Sequence, residues 1–173
     1  MTLYELYEAS RRNDIKKVNE LLEKGLIPDV FIFNEIILYN FTDLINLFLP
    51  YSIQYNIQTI NSIVITDNDY LFDIVIDIVN PDHSTLTEVL HKQSIKYLNR
   101  LIEKEIYPRF SDLSNFIFTS NVNVEFFLKA FSHIQESLPS EIELEDEDYN
   151  LVHPLMLDIL KTLQVNICIK QSN

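Results

Sequence analysis

Two segments of the chain, 80 residues apart, have closely similar sequences and form an internal repeat. Arg11–Pro28 (RRNDIKKVNELLEKGLIP) aligns without gaps with His91–Pro108 (HKQSIKYLNRLIEKEIYP). In both copies the apolar residues recur three and four positions apart, which is the spacing of one face of an α-helix. In the first copy Gly25, the only glycine of the protein, follows the helical pattern and predicts its C-terminus.

The repeating element is a pair of helices joined by a short polar corner. The similarity extends upstream of both copies, since Leu6 aligns with Leu86 and Ala9 with Val89. The offset of 80 residues is about three times 27, so two more pairs are expected between the matched ones, and a fifth follows. The sequence therefore predicts an all-α fold, a single domain over residues 1–173 built as an αα-solenoid of about five helix–turn–helix repeats. The predicted pairs lie near residues 3–28, 30–54, 56–82, 84–108 and 110–135.

The choice between helix and strand is closest at residues 60–65 and 74–79, where β-branched residues are dense. Local propensity there favours a strand. In a strand, Asp73 and Asp77 would share a face with valines, which would make a poor interior. At helical spacing the same residues leave a continuous apolar stripe, so we predict helices in both segments.

Residues 136–150 interrupt the helical pattern with Pro139 and a run of acidic side chains. The segment is too long for the corners used elsewhere, so we predict a linker. Three interpretations of the acidic run stay open: a solvated linker, a docking strip for a basic protein, and a nucleic-acid mimic, which would need a rigid face. Beyond it, Pro154 suits the first turn of a closing helix near residues 152–164. Val165–Ile169 is apolar but short, and we expect the chain to fray after it.

The charge balance restricts the partners that the chain can bind. Acidic residues number 26 and basic residues 13, which gives a formal net charge of −13. Nucleic-acid backbones and anionic membranes both require a basic surface, so we expect neither as a partner. A basic protein remains a suitable partner, and the charge also favours solubility. The sequence leaves the oligomeric state open.

The scarcity of glycine and cysteine excludes further classes of protein. Rossmann and P-loop nucleotide sites need several glycines for close approach of the backbone to phosphate. Cys168 is the only cysteine, which excludes an intramolecular disulfide, and its neighbours Ile167 and Ile169 predict a small buried side chain. The apolar stretches are too short for a signal peptide or a membrane span. We therefore expect a cytoplasmic or nuclear protein, or one in the host cytoplasm if it is viral.

The sequence contains no recognisable arrangement for catalysis or metal binding. No histidine lies three to five residues from another histidine or a cysteine, as a local metal motif would require. The four histidines are spread along the chain: His83, His91, His133 and His153. We accordingly predict no catalytic residues, no cofactor, no metal and no enzymatic activity.

Residues 9–25 (ASRRNDIKKVNELLEKG) resemble the core of an ankyrin repeat. In that family a small residue closes the first helix, a Gly-Asn or Gly-Asp corner follows, and a V–x–x–LL helix ends in glycine. The resemblance covers residues 4–28 and 84–108, and it departs from the family in three respects. Asn13, Asn40 or another polar residue stands in place of the corner glycine. Tyr4, Glu5 and Tyr7 replace the family's Thr-Pro-Leu-His opening, and the period is near 27 residues instead of about 33, which implies plain turns in place of projecting hairpins. Short repeats rich in Ile and Asn resemble those of large DNA viruses and intracellular microbes, and another kind of αα-solenoid is the nearest alternative.

The resemblance implies a scaffold that binds another protein, such as a host or regulatory factor, and acts as an adaptor or inhibitor. In ankyrin-like stacks the binding surface is usually the concave side, formed by the first helices and the turns. Candidate partner-binding residues are, by position, Tyr4, Tyr7, Arg11, Asn34, Tyr39, His91 and Tyr107, with Glu145, Asp146 and Glu147 from the acidic run. The alternatives are a non-ankyrin helical domain with a ligand-binding or catalytic role, and an acidic mimic that binds a basic partner.

Overall fold

Most of the chain is helical, as the spacing of its apolar residues predicts. The computed structural model describes residues 2–114, 116, 122–135, 138–145, 152 and 154–170, and the chain divides into two compact units, residues 1–88 and 89–173. The helices of the first unit are α1 (Leu3–Arg11), α2 (Ile15–Glu23), α3 (Val30–Leu38), α4 (Thr42–Phe48), α5 (Ile57–Thr66) and α6 (Asp69–Val75), and α7 (His83–Lys92) contains the boundary. The second unit contains α8 (Ile95–Glu103), α9 (Phe110–Ser114), α10 (Val124–Ser132), β1 (Glu141–Glu145), α11 (Pro154–Thr162) and β2 (Asn166–Lys170).

The first helices of four successive pairs end at a residue with a left-handed backbone. These corner residues have φ between 51° and 58° and lie 27, 27 and 26 residues apart: Asn13, Asn40, Asp67 and Gln93. Asn and Asp tolerate this conformation better than most residues do. At the first three corners the next residue donates its amide to a carbonyl five positions back, as Asp14 does to Ala9 at 2.9 Å, which is the Schellman pattern of helix ends. The corners therefore recur at the interval that the sequence predicts.

Gly25 and Glu105, which are 80 residues apart, end the second helices α2 and α8 in the same manner. Gly25 has φ of 87° and Glu105 has φ of 62°. The following amide bonds back to the helix in both cases, from Leu26 to Leu21 at 3.2 Å and from Ile106 to Leu101 at 2.9 Å. In the second copy of the repeat, a glutamate thus adopts the left-handed backbone conformation that glycine adopts in the first copy.

Single substitutions at Gly25 and at Glu105 test whether the two helix ends are equivalent. A Cβ atom at Gly25 would meet nothing within 4 Å, so Gly25→Ala adds only backbone strain and should lower the free energy of unfolding by about 1 kcal/mol. Glu105→Gly removes the corresponding strain and should raise the free energy of unfolding by about 0.5–1 kcal/mol. Urea denaturation of both variants measures the two effects. Changes of the same sign would contradict the equivalence.

In the first unit, the first helices of successive pairs lie side by side. α3 packs against α1, α4 and α5, and α5 packs against α6. The side chains that face these contacts are fully buried, including Leu6 on α1, Phe33 on α3 and Ile63 on α5. Because each helix pair has an apolar face that it cannot bury alone, contact with its neighbours forms the core.

The second unit is organised around α10, which packs against α8, α9 and α11. Its phenylalanines fill the core: Phe126 and Phe127 are fully buried, with ring centroids 5.4 Å apart in an edge contact. The ring centroid of Phe116 lies 5.9 Å from that of Phe127. The first helix of the pair predicted near residues 110–135 is described only as α9, because residues 115 and 117–121 lie outside the described part.

The prediction of a linker over residues 136–150 is wrong where the acidic run begins. Glu141–Glu145 forms β1, which pairs in parallel with β2, Asn166–Lys170, from Glu141 opposite Asn166 to Glu145 opposite Lys170. Both segments alternate polar and apolar residues, the period of a strand. The closing helix α11, predicted near residues 152–164, lies between them in sequence and so supplies the crossover that parallel strands need. The fold is thus mostly helical, with a two-stranded sheet among the described residues.

The prediction of helices in the two segments with dense β-branched residues is confirmed for residues 60–65, which lie within α5. For residues 74–79 it is wrong beyond Val75, where α6 ends, since residues 76–79 form a turn and a bend. Within the described residues, none of the helices combines the length and the apolar character that a membrane crossing requires.

Candidate functional site

Four of the predicted partner-binding residues lie on α1 or directly after α3. Tyr4, Tyr7 and Arg11 fall on one face of α1, at helical positions i, i+3 and i+7. Tyr39 directly follows α3, the helix that packs against α1. The side chain of Tyr4 is 69% exposed and that of Tyr39 is 47% exposed. The helix pairs therefore present Tyr4, Arg11 and Tyr39 to solvent, and Tyr7 is partly exposed between α1 and α3.

A fifth residue, Phe31 on α3, joins this surface and was not among the predicted residues. The ring centroid of Tyr7 lies 5.6 Å from that of Phe31 and 6.5 Å from that of Tyr4. Phe31 is 59% exposed although it is one of the largest apolar side chains in the unit. Its position opposite the buried Phe33 of the same helix is the signal that could have identified it. The aromatic surface is defined here as Tyr4, Tyr7, Arg11, Phe31 and Tyr39.

Arg11 ends α1 and lies near Tyr39, which directly follows α3, at one end of the aromatic surface. A side-chain hydrogen bond from its guanidinium to Tyr39, followed by the nearby Tyr7 hydroxyl, raises the pKa of Arg11 above its ordinary value. Tyr39 in turn stacks on Phe41, with ring centroids 5.4 Å apart and an interplanar angle of 19°. The aromatic surface therefore carries a fixed positive charge at this end.

A groove of about 350 Å³ opens at the opposite end of the aromatic surface. Apolar and aromatic side chains form most of its wall, and one carboxylate, that of Asp29, belongs to it. The lining residues are Leu3, Tyr4, Tyr7, Asp29, Phe31 and Ile32. Asp29 is also the N-cap of α3, where its Oδ1 accepts a hydrogen bond from the Ile32 amide at 2.9 Å. The cap fixes the carboxylate beside the aromatic rings.

Asn34, also predicted to bind a partner, is instead buried between neighbouring helices, with 7% of its surface exposed. Its Nδ2 donates to Oδ1 of Asn56, the N-cap of α5, at 3.4 Å. The prediction is wrong because the side chain of Asn34 faces α5 and not solvent.

The same position in the next pair makes the same kind of contact. Asn61, 27 residues after Asn34, donates from Nδ2 to Ser84 Oγ at 2.9 Å, and its Oδ1 accepts from Thr85 Oγ1 at 2.6 Å. Tyr7 occupies the corresponding position 27 residues before Asn34, and it meets Phe31. Positions 7, 34 and 61 are therefore contact points between one first helix and the next. Only the first of them is aromatic and belongs to the aromatic surface.

The second unit contains two further predicted residues. His91 lies near the end of α7, is exposed, and contacts the ring of Phe116 edge-on at a centroid distance of 5.0 Å. Tyr107 is half-buried in the connection between α8 and α9.

The acidic residues predicted to bind a partner are only partly described. Glu145 is the last residue of β1, and Asp146 and Glu147 lie outside the described residues. At the start of β1, the carboxylate of Glu141 accepts a hydrogen bond from Cys168 Sγ at 3.4 Å, which is the main cause that raises the pKa of the thiol. Cys168 is exposed, so the prediction of a buried side chain is wrong. The strand places it on the side of the sheet that carries Glu141 and Glu143.

The described part of the chain contains no cluster of three or more His, Cys, Asp or Glu side chains that could hold a metal ion. His83, His91 and His133 belong to this part, and His153 does not. The chemistry that the described residues do concentrate is aromatic and cationic, on the surface formed by α1 and α3.

Comparisons of the chain with protein-family models, with curated proteins and with solved structures found no match.

Proposed function

We propose that the chain binds another protein through the aromatic surface and acts as an interaction scaffold, as an adaptor or inhibitor. The observation that supports this most directly is the exposure of Tyr4 and Phe31, at 69% and 59%, on helices whose inner faces are fully buried. Contiguous exposed apolar surface is typical of interaction sites. Tyrosine and arginine are also the side chains most enriched among residues that dominate binding energy.

The architecture in this proposal is a stack of ankyrin-like helix pairs. Its support is the regular spacing of the left-handed corners and the side-by-side order of α1, α3 and α5. In such a stack the first helices form one continuous side, and the aromatic surface lies on it. The proposal assigns the chain no catalytic step and no cofactor.

Affinity capture from the cells that produce the protein tests the proposal. The wild-type chain is expected to capture a specific protein, and the double variant Tyr4→Ala/Phe31→Ala is expected to lose it. Tyr70→Ala is the matched control, because Tyr70 on α6 is also a tyrosine of the first unit and is 64% exposed. Circular dichroism of each variant shows that the helices are intact.

Two results would contradict the proposal. One is a protein that the double variant and the wild type retain equally. The other is a protein that Tyr70→Ala loses to the same extent, since a general loss of exposed tyrosine would then explain the effect.

A further inference from the structure

We propose that the groove between α1 and α3 receives an arginine side chain of the bound protein. This inference rests on the proposed function and adds the chemistry of the partner. The observations that support it are the composition of the groove wall, the fixed carboxylate of Asp29, and the distribution of charge along the chain.

The wall of the groove fits the two chemically different parts of an arginine. Leu3, which is 45% exposed, supplies apolar surface against which the methylene stem of a long side chain can pack. Tyr4, Tyr7 and Phe31 supply aromatic faces, and their rings tilt relative to each other by 39° and 36°. A guanidinium is planar and weakly hydrated, so it stacks on such faces more readily than the ammonium of lysine does.

Asp29 supplies the negative charge that a guanidinium needs. One of its oxygens accepts the Ile32 amide at 2.9 Å, and an ionised carboxylate can accept several hydrogen bonds through its two oxygens. A guanidinium pairs with a carboxylate in a planar arrangement that is stronger than a neutral hydrogen bond. Because the same interaction caps α3, the carboxylate is positioned before any ligand arrives.

The net charge of the first unit is negative and so complementary to a cation. Residues 25–91 contain nine aspartates and glutamates and not one lysine or arginine. The five basic residues of the first unit all lie within residues 11–24. A surface with this balance attracts basic partners and accelerates their association.

The positive charge of Arg11 lies outside the groove wall. Tyr4 and Arg11 are seven residues apart on α1, which corresponds to about 10 Å along the helix axis. This separation exceeds the screening length of about 8 Å at physiological ionic strength, so the repulsion between Arg11 and a cation beside Tyr4 is weakened. The main interaction of Arg11 is with Tyr39, which does not line the groove.

Titration of the full chain with a small arginine derivative tests the inference. The probe is N-acetyl-arginine N-methylamide, observed by NMR of labelled tyrosine and phenylalanine rings. Its matched control is the citrulline derivative, which has nearly the same shape but no charge, and a leucine derivative reports purely apolar binding. We expect saturable shifts at Tyr4, Tyr7 and Phe31 but not at Tyr70, with affinity for the arginine probe at least about tenfold higher than for citrulline. Equal affinity for the controls, or no saturable shift, would overturn the inference.

Asp29→Asn separates the charge of this residue from its structural role. Asparagine caps helices as well as aspartate does, so α3 is expected to remain intact. The variant should bind the arginine probe several-fold more weakly than the wild type and the leucine probe equally well. Asp43→Asn, an exposed aspartate in the first turn of α4, is the control and should change neither affinity. If Asp29→Asn binds arginine as the wild type does, the inference is wrong.

The two proposals fail in different ways. If Tyr4→Ala/Phe31→Ala abolishes capture of a protein but the arginine probe does not bind the groove, the proposed function stands and the arginine inference falls. If the probe binds at the groove with the stated preference but capture is insensitive to the double variant, the groove recognises arginine and the proposed function falls.

Discussion

Replacing Phe33 by alanine is expected to lower the free energy of unfolding by about 3–5 kcal/mol, the usual cost of truncating a fully buried phenylalanine. Phe33 has no exposed surface, and its ring lies 5.5 Å from that of Tyr55. It belongs to α3, the helix that packs against α1, α4 and α5. The cavity therefore opens beside a helix that three neighbours hold in place, which limits how far α3 can move to fill it.

Phe31→Ala is the matched control, since it makes the same chemical change two residues earlier on the same helix. Phe31 is 59% exposed, so its truncation should change the free energy of unfolding by no more than about 0.5 kcal/mol. Urea denaturation followed by circular dichroism measures both variants. Equal losses would mean that Phe31 is a core residue and that the aromatic surface does not face solvent.

Replacing Asn61 by alanine is expected to cost about 2–3 kcal/mol. The variant loses the hydrogen bonds to Ser84 Oγ and Thr85 Oγ1, and it leaves the hydroxyl of a fully buried threonine without its acceptor. An unsatisfied buried polar group costs more than the net contribution of a hydrogen bond. The loss should thus exceed that of an ordinary surface asparagine.

Two further variants make the Asn61 experiment specific. Asn46→Ala removes an exposed asparagine from α4 and should change the stability by less than about 0.5 kcal/mol. In Asn61→Leu/Thr85→Val the side chains at both ends of the buried hydrogen bond become apolar, while Ser84 keeps its hydrogen bond to Asp82. The combined loss should therefore be smaller than the sum of the single losses. A cost below about 0.5 kcal/mol for Asn61→Ala would contradict the role of this position as a contact between first helices.

The helices and their corners could be predicted from the sequence because both depend on local features. Apolar spacing identified the helical faces, and polar residues such as Asn13 and Asn40 marked the corners where the backbone becomes left-handed. The internal repeat added the interval between corners. Gly25 identified the end of α2. The matching residue, Glu105, also has a positive φ, although no glycine in the second copy signals it.

The sheet was missed because the charge of its residues concealed their period. Glu141–Glu145 was interpreted by its acidic content, although Ile142 and Leu144 alternate with the glutamates as in a strand. Its partner, β2, lies beyond α11 in the sequence, and such non-local pairing leaves no trace in a local window. Cys168 was misplaced for the same reason, since a strand directs it away from Ile167.

The composition of the candidate site could be predicted only in part. Tyr4, Tyr7, Arg11 and Tyr39 were identified from their position on first helices, and the structure brings them to one surface. Asn34 was misassigned because the way in which α3 packs against α5 decides whether a polar residue on α3 faces solvent or the next helix. Phe31 was overlooked because a phenylalanine within an apolar helix suggests core, although its position opposite Phe33 on that helix signals that both cannot be buried on the same face.

The proposed binding function is tested most directly by the affinity of a captured protein for matched surface variants. Isothermal titration calorimetry compares the wild type with Tyr4→Ala/Phe31→Ala and with the control Tyr70→Ala. If the aromatic surface carries the binding energy, the double variant should raise Kd by at least about 30-fold, which corresponds to about 2 kcal/mol. Tyr70→Ala should leave Kd within about twofold of the wild type. Equal Kd values for the wild type and the double variant would contradict the assignment of the aromatic surface as the binding site.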